Sequence, residues 1–147
     1  MELIEIRLAN TADAPELARL NGLLNEEGSA TAADIEESLK TYEDEIVCVA
    51  AMESRLAGFC CGRINRSMCR SGCTGYISAL YIMEEYRQQG IARKLLYRLE
   101  SEFREYGIDH LHISTGAENL AAKTLYHSLG YEDTPEFILE KNLTLTV

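Results

Sequence analysis

Proline and glycine are scarce in this 147-residue chain, at 2 and 10 residues. So few breakers leave no stretch that reads as a flexible interdomain linker. No apolar run approaches the length of a membrane span, and there is no internal repeat or low-complexity tract. Basic residues are also short, 14 against 24 acids, for a formal charge of −10. That balance speaks against nucleic acid as a partner, because neutralising phosphates takes a basic face. The five cysteines are an odd count that no complete disulfide framework uses. The opening MELIEIRLANTADAPELARL carries an acid at its second position and alternating polarity, unlike a signal or transit peptide. The expectation is one domain over 1–147, with no membrane segment and a cytoplasmic location.

What is present suits a compact core. Hydrophobic residues make up 46% of the chain, enough at this length to bury a core without metal or disulfide staples. Cys48, Cys60 and Cys61 lie in apolar runs and read as small core residues. Cys69 and Cys73 flank an expected hairpin tip, where two loop thiols are the simpler reading than a zinc site. Between residues 26 and 45, eight acids, running from Glu26 to Glu45, stand against one lysine. Such a surplus attracts a cation, or it simply solvates the outer faces of two helices.

Periodicity gives the elements. Residues 2–8 alternate as a strand; Asp13, Pro15 and Glu16 start a helix whose stripe is Leu17, Leu20, Leu23 and Leu24. Thr31 with Asp34 resembles a capping box for a second helix that turns Ile35 and Leu39 inward. The period then falls to two over 45–52, 55–66 and 75–83, three successive strands. A long helix follows, with Ile91, Leu95, Leu96, Leu99 and Phe103 on one face and Gly107 closing it. Residues 108–115 read as a strand, 119–129 as a helix, and YEDTPEFILEKNL as one or two closing strands. The order β-α-α-β-β-β-α-β-α-β(-β) predicts an α/β chain with a mixed sheet and helices on both faces.

The stretch EEYRQQGIARKLLYRLE holds the chemistry. Gly90 bends the chain into a helix whose first N–H groups have no internal partner and carry the positive end of the dipole. Arg87, Arg93 and Lys94 add local positive charge to an acidic molecule. The pattern suits a phosphate or pyrophosphate, although it is neither a P-loop nor a dinucleotide fingerprint.

ALYIMEEYRQQGIARKLL resembles the acetyl-CoA-binding segment of the GNAT N-acetyltransferase family. GAENLAAKTLYHSLGYE (116–132) is similar to that family's downstream motif, in the same order and on the same elements. The resemblance implies a GNAT-like acyl-CoA N-acyltransferase fold with acetyl-CoA as acyl donor. It implies that the backbone of Leu80, Tyr81 and Ile82 lies along the pantetheine arm. Arg87 and the segment Gln88, Gln89, Gly90, Ile91, Ala92 and Arg93 would hold the pyrophosphate. Asn119 would touch the cofactor, and Tyr126 would protonate the leaving thiolate. The acceptor implied is a small-molecule or peptide amine, of cationic character given the acidic 26–45 segment, attacking directly in a ternary complex.

Where relatives often carry a glutamate base, this chain has Ser78 and Ser114. No base is therefore assigned: ordered water, Glu84, Glu85, Glu118 or loss of the proton to solvent stay open. Loss of both carboxylates keeps a non-catalytic acyl-CoA-binding module as the alternative, beside a protein-interaction module using the acidic helices. The closing strands leave a homodimer open.

Overall fold

The computed structural model describes residues 3–25 and 27–144. Two compact units make up the chain, Met1–Ser114 and Thr115–Val147. The first is built on a sheet of β1 (Glu5–Leu8), β2 (Glu45–Ala51), β3 (Leu56–Arg66), β4 (Cys73–Ile82) and β5 (Leu111–Ile113), in that spatial order. Strands β1 to β4 pair antiparallel, and β5 joins β4 in parallel, so the expected mixed sheet forms. Helices α1 (Ala14–Leu24) and α2 (Ala32–Thr41) connect β1 to β2, and α3 (Ile91–Glu105) connects β4 to β5. No helix among the described residues is long and apolar enough to cross a membrane.

Alternation along β3 decides which helix meets which face. Gly62 turns toward α3, so closely that a Cβ there would come within 2.5 Å of the Phe103 ring. Leu95, Leu96, Leu99 and Phe103 are fully buried, as the sequence stripe predicts, and Cys60 donates its thiol to the Leu95 carbonyl (3.5 Å). Phe59 and Cys61 turn the other way, where Leu17 and Leu20 of α1 pack with Val49, Phe59 and Met83. Helices thus cover both faces, as expected.

Local chemistry sets the helix ends. Thr31 and Asp34 form the reciprocal capping box at α2, with bonds of 3.1 and 3.0 Å. At the end of α3, Gly107 adopts a φ of 77° and the Ile108 N–H donates to the Phe103 carbonyl (3.1 Å). Ile108 is buried against this cap, so residues 108–110 complete the helix exit and the strand expected over 108–115 is confined to 111–113. Leu23 and Leu24, expected in the α1 stripe, are 55% and 38% exposed because the last turn of the helix runs past the sheet-packed cluster.

The second unit contains α4 (Leu120–Ser128), closed by Gly130 at a φ of 94°. The strands expected over 131–143 do not form. A strand needs a ladder partner, and none pairs with this segment among the described residues. Pro135 supplies no N–H, and local bonds such as Glu136 N–H to Thr134 Oγ1 (3.3 Å) replace a ladder. Phe137, Ile138, Leu139 and Leu143 are left largely exposed.

Candidate functional site

Strand β4 ends at Ile82 and a short 3-10 turn, Glu84–Tyr86, leads to the exposed segment 87–90. Gly90 is the N-cap of α3 in the left-handed region (φ 78°, ψ 11°), and no side chain caps the helix. A Cβ built on Gly90 meets no atom within 4 Å, so glycine is required by the bend rather than by crowding. Gln88 also has a positive φ of 63°, the only such non-glycine among the described residues. Its strain, on the order of 1 kcal/mol, is held in place at this turn. The first bond of the helical ladder is Lys94 N–H to the Gly90 carbonyl (3.2 Å). The N–H groups of Ile91 and Ala92 therefore precede the ladder and point out of the helix start.

Arg87 has a second duty. Its Nε donates to the Ile82 carbonyl (2.8 Å) and its guanidinium lies 5.5 Å over the Tyr81 ring. These contacts tie the turn to the end of β4, bringing Tyr81, Ile82 and Arg87 together and leaving positive charge beside Gln88–Gly90.

The edge of β4 opens just before that turn. β5 pairs with β4 only over Gly75–Ile77, and among the described residues no strand pairs with that edge beyond Ile77. Against β3, Cys61 faces Ala79 while Gly62 faces Ile77, which leaves Ser78 as the extra residue of a β-bulge. Met83 N–H donates back to Ala57 in the β3 direction (2.8 Å). Strand alternation then turns the peptide groups of Leu80 and Ile82 to the open edge. Strand periodicity alone does not reveal this bulge. Its signal is the switch of buried positions from odd to even between Ile77 and Ile82.

Ser78 is exposed at this bulge, its Oγ donating to the Cys61 carbonyl (3.2 Å) and lying 3.3 Å from Cys61 Sγ. Cys61 in turn lines a cavity of about 180 Å³ between α1, α2 and the sheet. Its apolar walls include Ile35, Leu39, Val47 and Phe59, and its polar groups are Asn21, Asp34, Ser38 and Glu45. Burial pushes the Cys61 thiol up to about 11, with the Ser78 hydroxyl opposing and the Glu45 charge adding to the rise, so it is a thiol at neutral pH. Ser38 Oγ donates to Glu45 Oε1 (2.7 Å).

The acidic segment now divides. Asp34 and Glu45 line the cavity, whereas Glu36 pairs with Lys40 (3.1 Å) and Glu37 accepts from Thr41 (3.0 Å) on exposed surface. Glu26 lies outside the described residues. Ser114, Glu84, Glu85 and Glu118 are exposed.

In the second unit, Asn119 is the N-cap of α4, its Oδ1 accepting from the Ala122 N–H (3.1 Å). That leaves its side-chain N–H groups as the donors for other work. Tyr126 is buried, with the Tyr131 ring edge-on at 6.1 Å between centroids. His127, on the next position of the helix, bonds Asp133 (2.7 Å), so its ring serves the local fold.

An uncapped helix start beside an open strand edge is the arrangement a diphosphate on a peptide-like arm would use. The sequence model of the "Acetyltransferase (GNAT) family" matches residues 15–131. "Aminoglycoside N(6')-acetyltransferase type 1" of Stenotrophomonas maltophilia is 23% identical over 136 residues, 90% of this chain and 89% of its own. "N-alpha-acetyltransferase 30" of Schizosaccharomyces pombe is 39% identical over 57 residues, 39% of this chain and 38% of its own. Among solved structures, the aminoglycoside N-acetyltransferase AAC(6')-Iy in complex with CoA superposes with a TM-score of 0.85 at 18% identity, over 97% of each chain. That last likeness carries the fold, and the family match carries the chemistry. The chain belongs to the GNAT acetyltransferase family and is an N-acetyltransferase that draws its acetyl group from acetyl-CoA.

Proposed function

We propose that this enzyme acetylates a primary amine of a small cationic acceptor by direct attack on acetyl-CoA in a ternary complex. The observation that carries the reading is the uncapped start of α3 at Gly90, set at the end of a strand whose outer edge is open from Ser78 to Ile82. Main-chain donors from Gln88 to Arg93, with the charge of Arg87, hold the pyrophosphate. The main chains of Leu80 and Ile82 hold the pantetheine arm as though it were an added strand, with Tyr81 lying between them along the arm. Asn119 contributes its side-chain amide. The family match runs through both compact units, which supports one catalytic domain over 1–147.

The chemistry sets three demands. The amine, with a free pKa of about 10.4, must be neutral to attack, the developing oxyanion must be stabilised, and the thiolate must take up a proton. Nitrogen bonds to the carbonyl carbon, the carbon–sulfur bond breaks, and the Tyr126 hydroxyl gives its proton to sulfur. A main-chain N–H on the open edge between Ser78 and Ile82 polarises the thioester carbonyl. No carboxylate stands at Ser78 or Ser114, so the amine proton leaves through solvent at the cleft mouth. The acceptor occupies the cavity under α2, where Asp34 and Glu45 favour a cation. Four exposed apolar residues, Phe137, Ile138, Leu139 and Leu143, support an assembly of two copies.

Replacing Tyr126 with Phe tests the assignment. Thiol release should fall about 100-fold while CoA affinity, read by titration calorimetry, stays within about twofold. Equal losses in both would make the tyrosine a packing residue.

A further inference from the structure

We propose that the acceptor is an aliphatic diamine, its distal ammonium held by Glu45 and its reacting amine at the Cys61–Ser78 end of the cavity. This rests on the acceptor reading above and adds to it a substrate class and a specificity residue. Size comes first. The cavity, at about 180 Å³, is close to one that encloses a single benzene ring, ~150 Å³, and below the ~300–1,000 Å³ of sites for drug-sized ligands. A slim chain fills a space of this size, whereas a body of several sugar rings would stand largely outside it.

Polarity comes second. Ile35, Leu39, Val47 and Phe59 give the cavity an apolar wall that suits methylenes, beside the polar Asn21, Asp34, Ser38 and Glu45. Glu45 begins β2, and Val47, one pleat further on, faces Cys61 across the ladder. Strand spacings put the Glu45 and Cys61 Cα atoms about 8 Å apart, from ~6.7 Å along β2 and ~4.8 Å across. Cys61 touches Ser78 at the bulge where the open edge of β4 begins. One end of the cavity therefore carries a carboxylate and the other meets the thioester arm, about a short diamine apart.

Glu45 is suited to the distal end. It is half-buried, where attraction between charges is stronger than in water. Ser38 fixes one oxygen (2.7 Å), and a carboxylate has lone pairs for further donors. Held there, the distal nitrogen stays charged while the reacting one is free to lose its proton. Asp34, exposed and with one oxygen accepting from the Thr31 N–H, adds a second negative charge to the same cavity.

The test compares thiol release from acetyl-CoA with putrescine, cadaverine, n-butylamine and kanamycin. Putrescine or cadaverine should exceed n-butylamine in kcat/KM by about 10- to 100-fold, the range of a charge-assisted hydrogen bond. Glu45→Gln should abolish that preference through the diamine KM, bringing diamine kcat/KM down to that of n-butylamine in the same variant. Glu45→Asp, one methylene shorter, should shift the preference from putrescine toward cadaverine. Equal use of mono- and diamines, preference for kanamycin, or equal loss on all amines in Glu45→Gln would each overturn the proposal. Turnover of n-butylamine keeps the acetyltransfer reading intact in those cases, whereas no turnover of any amine ends both.

Discussion

Gly62 and Cys61 are neighbours in β3, yet they meet opposite kinds of surroundings. On the Gly62 side, α3 buries five residues and leaves no room for even a methyl group beside Phe103. On the Cys61 side, α2 buries none of its residues fully, and a cavity separates it from the sheet. One sheet thus carries a closed face and an open one. The α3 face is filled along its length, whereas the other face is packed beneath α1 and opens only beneath α2. A marginally stable domain rarely tolerates such a space without a use.

The closed face should give the largest effects. Phe103→Ala removes a fully buried ring and should cost about 4 kcal/mol, read as a shift in the urea midpoint. Gly62→Ala approaches the same ring from the other side and should cost about 2 kcal/mol. Combining Gly62→Ala with Phe103→Leu, which shortens the ring contact, should cost less than the sum of the two single changes. Full additivity would mean that the two positions do not press on each other, and the distinction between faces would lose its basis.

Much of this arrangement is legible in the sequence, and the parts that are not share a cause. The α3 stripe, the Thr31 box and the Gly90 bend are local, set by neighbours within four or five residues, and each forms as expected. In the sequence Ser78 is only a residue standing where a base might be, because a bulge is a property of the pairing with β3. The acidic segment looks uniform as a string, but folding selects Asp34 and Glu45, far apart in sequence, and leaves Glu36 and Glu37 on the surface. The apolar run Phe137, Ile138 and Leu139 suggests a strand, but an apolar run cannot supply a partner edge. The long strand expected at 108–115 is cut short because Ile108 is buried in closing a helix.

Asp13 anchors the start of the open-face helix α1 to the sheet, and it is the intermediate case. It is buried, and it accepts from Arg7 at 2.8 and 3.0 Å and from the Asn10 N–H at 2.8 Å. Burial opposes its charge, but the Arg7 guanidinium and the Asn10 N–H outweigh that and hold its carboxyl below the ordinary value. A lowered folded pKa means stability that is fully present above the unfolded value, about 3.9, and lost as pH falls through the folded one. Asp13→Asn should therefore cost about 2 kcal/mol at pH 7, and the gap between variant and parent should close in acid. A gap that persisted with the carboxyl protonated would mean shape, not charge, holds this corner.

Leu39→Ala should give the smallest stability change and the most direct probe of the open face. Leu39 is half-buried, lines the cavity and packs on the rim of the cluster that includes Leu17 and Phe59. Its truncation should cost about 1 kcal/mol or less, since only part of the side chain is withdrawn from water. The same change widens the cavity wall against which the methylenes of an acceptor would lie. KM for a diamine should rise severalfold while kcat and CoA affinity hold, because the reacting atoms and the Gly90 turn are untouched. A loss of about 3 kcal/mol or more with an unchanged KM would reverse the assignment: the space beneath α2 would then be ordinary core, and the two faces of β3 would differ only in how tightly they are filled.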